Sequence, residues 1–295
     1  MSTTSSTYTY ASLLCAPEDL DDLLKWLNDH SQSSVLIEEG DPSRLVFVPP
    51  DTASAEWLLM ESALISLGAT AIDLQSARQE DWQEIWKEQG FKSFTVGERL
   101  RVVPSWEDPE DRPALETVRI DPQMAFGTGL HETTFRCLEQ IVETAGQWPK
   151  EPRSILDFGS GTGILGVAAL TIMKEATLIA IDNDPYAVEA TRHNLRVNGM
   201  EDRGLVYGAF EEITPATPLP TFDMILANVT GGILCSTTPM LYEMLSPKGR
   251  MICSGVSKEE TDTVARVLSG LSGRMRNVPG ERYDTFVIDK GRSPS

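Results

Sequence analysis

The segment ILDFGSGTG (155–163) places an acidic residue and three alternating glycines at the end of an apolar run. Gly159 permits a tight turn, and Gly161 and Gly163 let a ligand and a helix approach bare backbone. A pyrophosphate-binding G-x-G-x-x-G turn would put its third glycine one place later. The spacing therefore suits a nucleoside ligand without pyrophosphate, carrying a cationic amino-acid moiety; the plainer alternative is an ordinary glycine turn. Asp157 either fixes the turn or meets a ligand cation. Asp182, 25 residues on, ends the next apolar run, LIAID, where a carboxylate can accept hydrogen bonds from ribose hydroxyls. Asp184, just before Pro185, reads instead as a helix-start residue. Asn228 ends FDMILAN; its amide oxygen can orient an incoming amine while its NH₂ group holds something else, or it can simply stabilise a turn.

A second glycine-bearing stretch, QMAFGTGLHETT (123–134), precedes these. Its glycines allow residues 126–129 to bend toward a ligand, and Thr133 or Thr134 is expected to cap the helix that follows. His131 is a candidate proton acceptor, or a residue that only binds the backbone of its own loop. His30 and His193 fall in unrelated helical segments, so no metal site is expected.

These residues need a scaffold. From residue 133 onward, apolar runs of strand length alternate with helical periodicity: RSILDFG, ILGVAALTIMKE, ATLIAID, PYAVEATRHNLRVNG, LVYGAF, TFDMILANV, ILCSTTPMLYEMLSP, RMICSGV and KEETDTVARVLSG. That order predicts a doubly wound α/β parallel sheet, closed by an antiparallel pair turned at Pro279-Gly280. The first 80 residues read β-α-β-β-α-β, with helices over 16–30 and from Asp51 or Thr52 to Gly68 and a hairpin at Gly40-Asp41. This is the order of a ferredoxin-like α+β sandwich. Between them, residues 81–115 hold three of the six tryptophans and the charged, turn-rich EDPEDRP, and are expected to be a linker region. WQEIWKE reads there as a short helix and RLRVVPSW as a strand, their aromatics serving packing or facing a substrate. The expected division is 1–80, 81–115 and 116–295.

The formal net charge is −19, and residues 1–110 contain 20 acidic against 7 basic side chains. Such a surface repels bare nucleic acid; it either keeps the chain soluble or attracts a basic protein. Four scattered cysteines suggest neither zinc nor a disulfide framework. The start, MSTTSSTYTY, lacks signal-peptide order, and no apolar run reaches membrane-spanning length. An intracellular, reduced setting is the expectation.

Taken together, FGTGLHETT, LDFGSGTGIL, AIDNDP and LAN resemble class I S-adenosylmethionine-dependent methyltransferases. In that order, after the Trp82–Trp106 region, they resemble more closely the PrmA family, bacterial enzymes acting on ribosomal protein L-eleven. The resemblance runs from about residue 80 to the end and is loosest over residues 1–75, where the family has its substrate-recognition domain. It implies a Rossmann-like methyltransferase sheet beside the smaller ferredoxin-like domain, with S-adenosylmethionine as cofactor. By this resemblance Thr134, Gly159, Asp182 and Asn228 contact the cofactor; Gly161 is expected to join them from its place in the glycine turn, and Asn228 also to serve the reaction. The implied activity is methylation of lysine side-chain and/or N-terminal amines of a basic ribosomal protein, by a cytoplasmic monomer without direct nucleic-acid or membrane contact. The sequence departs from the family at Val229-Thr230-Gly231-Gly232, after LAN, and at Ala209-Phe210, where many class I enzymes place an acid for the adenine amine. The alternatives are a methyltransferase of the same fold acting on another protein or a small molecule, and a binding module that has lost catalysis.

Overall fold

Apolar residues at every second position make 7–15 a strand buried on one side. In β1 (Thr7–Cys15), Ala11, Leu13 and Cys15 are fully buried. The computed structural model describes residues 7–30, 35–38, 40–47, 49–50, 52–78, 87, 91–107, 115–123, 125, 127, 129, 131–148, 152–213 and 220–291. Two compact units divide the chain, 1–90 with 122–126, and 91–121 with 127–295.

In the first unit, β1 is followed by α1 (Leu20–His30), β2 (Leu36–Glu38), β3 (Ser43–Phe47), α2 (Ala55–Ser66) and β4 (Ala69–Arg78). The sheet order is β2-β3-β1-β4, all antiparallel, which is the expected ferredoxin-like arrangement. Leu20, Leu23, Leu24 and Leu27 of α1 and Trp57, Met60 and Leu64 of α2 share one core with Ala11, Leu13, Leu45 and Phe47, so both helices cover the same face. Helix α2 starts at Ala55, later than expected, because Ser54 Oγ accepts the Trp57 N–H and forms the cap.

The second unit opens with a three-stranded sheet: β5 (Phe94–Val96), β6 (Leu100–Pro104) and β7 (Glu116–Ile120), in that order. The stretch expected to be a linker thus contributes β5 and β6, and from Phe91 onward it belongs to this unit. Val96, Leu100, Val102 and Val103 are fully buried, and Trp106 packs edge-on against Phe91 at 5.7 Å. WQEIWKE, with Trp82 and Trp86, lies almost entirely outside the described residues.

The main sheet is built from β8 (Ser154–Phe158), β9 (Thr177–Ile181), β10 (Gly204–Tyr207), β11 (Phe222–Asn228), β12 (Leu245–Ser257), β13 (Gly273–Pro279) and β14 (Tyr283–Lys290). Their order is β10-β9-β8-β11-β12-β14-β13, with the first five parallel and β14 antiparallel to both of its neighbours. Crossovers are α4 (Ile164–Ile172), α5 (Pro185–Val197), α6 (Gly231–Glu243) and α7 (Thr261–Ser269), while α3 (Glu132–Gln147) leads into β8. The central strands are apolar on both faces because helices cover both sides; Ile155, Leu156, Ile225, Leu226 and Ala227 are all fully buried.

Register decides the placement of the site. Phe158 pairs with Ile181 and with Ala227, and Asn228 pairs with Ser254. The residues immediately beyond these, Gly159, Asp182 and Val229, therefore sit side by side with Asn228 along the carboxyl edge of the sheet. Open α/β sheets bind ligands along this edge.

Candidate active site

The glycine turn joins β8 to α4 through three residues with positive φ: Gly159 (71°), Gly161 (56°) and Gly163 (78°). A Cβ on Gly159 would lie 2.5 Å from Val229 Cγ1, and one on Gly163 would lie 2.9 Å from Thr191 Cγ2, so the turn admits no larger residue at either place. Its backbone is pinned from both sides. The amides of Gly159 and Ser160 donate to Ile181 O at 2.9 and 3.1 Å, and Gly161 N–H donates to Asp182 Oδ2 at 2.8 Å. From α5, Thr191 Oγ1 donates to Gly161 O and Asn194 Nδ2 to Thr162 O, both at 2.9 Å. Gly161 thus has both backbone groups engaged within the protein and shapes the turn.

Asp182 lies one residue past the end of β9. Its second oxygen, Oδ1, accepts the Asp184 N–H at 3.0 Å. Each carboxylate oxygen retains a lone pair beyond these bonds. Burial raises the Asp182 pKa, and the two backbone donors offset this only in part. Asp184 is the N-cap of α5, accepting the Tyr186 N–H at 2.8 Å ahead of Pro185, the role its sequence position suggests.

Asp157 is fully buried. Its Oδ2 accepts the Gly166 N–H at 2.9 Å, tying β8 to α4, while Oδ1 has no hydrogen-bond partner among the described residues. Burial pushes its pKa up to about 7, outweighing the single bond from Gly166, and Asp182 adds to the rise.

Helix α3 begins differently from the sequence expectation. Its N-cap is His131, whose Nδ1 accepts the Thr133 N–H at 3.4 Å and lies 2.8 Å from Thr133 Oγ1. An imidazole nitrogen does here what a threonine hydroxyl was expected to do, and both threonines fall inside the helix, buried. Thr134 is thereby free to point inward, where its Oγ1 accepts a hydrogen bond from Asn228 Nδ2 at 3.1 Å. This bond joins residues 94 positions apart, and it leaves the Asn228 amide oxygen unbonded among the described residues. Thr162 Oγ1 donates to Gly127 O, linking the two glycine stretches. Residues 124, 126, 128 and 130 lie outside the described residues.

Sequence reading did not single out four supports of this site. Asn194 bonds the N–H and C=O of Asp121 and, one helical turn on, Asn198 bonds those of Arg119. The two amides act as a surrogate partner for edge strand β7 while Asn194 also holds Thr162. Their i, i+4 spacing on α5 was the available signal. Glu132 accepts the N–H groups of Glu281 and Arg282 (2.9 Å for the latter), tying the start of α3 to the β13–β14 turn. At the Ala209-Phe210 departure, Glu212 accepts the amides of Gly208 and Ala209, and Phe210 meets Phe158 edge-on at 6.3 Å. Among the described residues, no group of three or more His, Cys, Asp or Glu converges as a metal site, and no helix is long and apolar enough to cross a membrane.

A seven-stranded sheet in this order, with a glycine turn after its first strand and acidic and asparagine residues at its carboxyl edge, defines a Rossmann-like class I methyltransferase domain. The crystal structure of a ribosomal protein L11 methylase from Lactobacillus delbrueckii subsp. bulgaricus shares the fold, with a TM-score of 0.59 over 68% of this chain and all of that one, at 24% identity. Residues 12–274 match the ribosomal protein L11 methyltransferase (PrmA) family, to which the chain belongs. A ribosomal protein L11 methyltransferase from Pelobacter propionicus is 40% identical over 193 residues, 65% of this chain and 60% of that protein. Its counterpart from Burkholderia ambifaria is 34% identical over 226 residues, 76% and 70% of the respective lengths. The family's cofactor is S-adenosylmethionine.

Proposed function

We propose that this chain transfers methyl groups from S-adenosylmethionine to lysine side-chain and/or N-terminal amines of ribosomal protein L11, the substrate named for its relatives. The observation that carries this reading is the Asn228 amide at the carboxyl end of β11, anchored through its NH₂ group to Thr134, with its oxygen taking no hydrogen bond among the described residues.

The residues present fit the cofactor. The glycine turn forms a cradle that a Cβ would fill, and Asp157 Oδ1 beneath it is a buried oxygen with no hydrogen-bond partner among the described residues. Asp182 retains lone pairs for ribose hydroxyls. Thr134, Gly159, Asp182 and Asn228 would hold the cofactor, and Gly161 would shape its turn. Bound there, S-adenosylmethionine supplies a methyl group on a sulfonium centre that leaves as a neutral thioether.

What remains for the chain is positioning. A lysine amine, with a free pKa near 10.4, is charged at neutral pH and must lose a proton before its lone pair is available. Desolvation lowers that pKa, and the Asn228 oxygen can accept one N–H of the neutral amine and so direct the lone pair. His131 is spent as a helix cap through Nδ1, which favours positioning over a dedicated base. The reading extends to a cytoplasmic monomer that meets its basic substrate as a protein, without direct nucleic-acid contact.

Intact-mass analysis of ribosomal protein L11 after incubation with enzyme and S-adenosylmethionine should show additions of one methyl mass or multiples of it. Asp182→Ala should abolish these at cofactor concentrations that saturate the wild type. Transfer only to small amines, or full cofactor affinity in Asp182→Ala by calorimetry, would overturn the assignment.

A further inference from the structure

Thr162 stands between Gly161 and Gly163 of the glycine turn and is fully buried. Its hydroxyl donates its single proton to Gly127 O and accepts the Ile164 N–H at 3.3 Å. Its carbonyl accepts from Asn194 Nδ2 at 2.9 Å. The same Asn194 amide donates to Asp121 O at 2.9 Å and accepts the Asp121 N–H at 2.8 Å. The chain leaves the second unit after Asp121 and re-enters it at Gly127. Both ends of that excursion are therefore fastened to one residue of the turn, Gly127 directly and Asp121 through Asn194.

The backbone that re-enters at Gly127 depends on such fastening. Gly127 and Gly129 have φ of 104° and 91°, and glycine enters and leaves these conformations at low cost. Both are buried, so a carbonyl there that loses its donor has no water to replace it. Close packing continues along the segment: a Cβ on Gly127 would lie 3.2 Å from Thr162 Oγ1, and one on Gly129 would lie 3.0 Å from Ile164 Cδ1 and 2.4 Å from Phe94 Cζ. Two residues past Gly129 the chain reaches His131, the cap of α3, and then Thr134, whose Oγ1 holds Asn228.

We propose that Thr162 is a positioning residue for methyl transfer. Its hydroxyl seats Gly127 on the glycine turn and so sets the start of α3, from which Thr134 orients the Asn228 amide. With its one proton given to Gly127 O, the hydroxyl has none to offer a ligand, and its effect runs through the backbone it holds. This rests on the reading of the chain as an amine methyltransferase in which Asn228 directs the acceptor.

Steady-state methylation of ribosomal protein L11 is compared for the wild type, Thr162→Val and Thr162→Ser, alongside calorimetric binding of S-adenosylmethionine. Val keeps the shape and removes the hydroxyl; Ser keeps the hydroxyl and removes the methyl. Thr162→Val should lower kcat by about ten- to a hundredfold, the cost of misplacing a reacting geometry from a distance. The cofactor dissociation constant should change by less than about threefold, because the lost interaction serves the transition state more than the bound ground state. Thr162→Ser should restore most of kcat. A side chain that only fills space gives the opposite order, with Val harmless and Ser impaired. Each kcat is referred to the fraction of enzyme that binds cofactor, so partial unfolding does not count as loss. If Val prevents folding, Thr162→Ala against Thr162→Ser makes the same comparison. An unchanged kcat without the hydroxyl, a Ser variant as impaired as Val, or kcat and cofactor affinity falling by the same factor would overturn this proposal alone. Absence of amine methylation by the wild type would overturn the underlying reading and this proposal with it.

Discussion

Two buried aspartates in the second unit carry opposite electrostatic consequences. Asp157 keeps its proton in the folded chain up to about pH 7, whereas in an unfolded chain an aspartate releases it near 4. The folded state holds more protons over that interval, so this group costs stability as pH rises from about 4 to 7. Asp284 is the reverse. Burial pushes its pKa up, but hydrogen bonds from Lys258, Thr261 and Asn277 and the Lys258 charge outweigh this and hold it low. Its contribution is present above the unfolded value and lost as pH falls through the lowered one. Thermal unfolding across pH should therefore separate the two. Asp157→Asn, which can still accept from Gly166, should gain on the wild type by up to a few kcal/mol between pH 4 and 7. The deficit of Asp284→Asn should be largest near neutrality and shrink in acid. Parallel pH profiles for the two variants would contradict the assignment.

At the scale of elements, the start of α3 organises the site. Three residues at its start reach in different directions: His131 caps the helix and meets Tyr283, Glu132 holds the β13–β14 turn, and Thr134 holds Asn228. Glycine is needed at Gly280 because a Cβ there would lie 2.3 Å from the Tyr283 backbone oxygen, and it would also meet the Glu132 carboxylate. Glu132→Ala should cost about 1–3 kcal/mol, the usual range for hydrogen bonds to a charged group, and should speed amide hydrogen exchange at Glu281 and Arg282 while sparing Phe286. Unchanged exchange at those two amides would show that the turn does not depend on Glu132. Much of this was legible in the sequence as a motif but not as geometry. HETT announced a helix start; which residue caps it depended on a histidine nitrogen reaching Thr133, and local propensity favours serine, threonine, aspartate and asparagine in that role. The glycine turn and Asp184 were legible because their requirements are local: positive φ, and a carboxylate ahead of proline.

Across the whole molecule, charge is the dominant feature. A net charge of −19, with 20 acidic against 7 basic residues in the first 110, would draw in a basic substrate of the kind proposed, over a screening length near 10 Å at 0.1 M salt. Raising salt from 50 to 200 mM should increase the KM for the ribosomal protein several-fold and leave that for the cofactor nearly constant; equal shifts in both would assign the charge to solubility alone. Composition and periodicity sufficed for the two fold classes, the order of the elements and the residues at the carboxyl ends of strands, because these follow from which side chains must leave water. They could not determine partners. That Asn228 is anchored by Thr134, that Asn194 braces both β7 and the glycine turn, and that Thr162 holds Gly127 was decided only by tertiary structure. Hydrogen bonds between residues tens of positions apart depend on strand register and helix placement, and those are set by packing of the whole core.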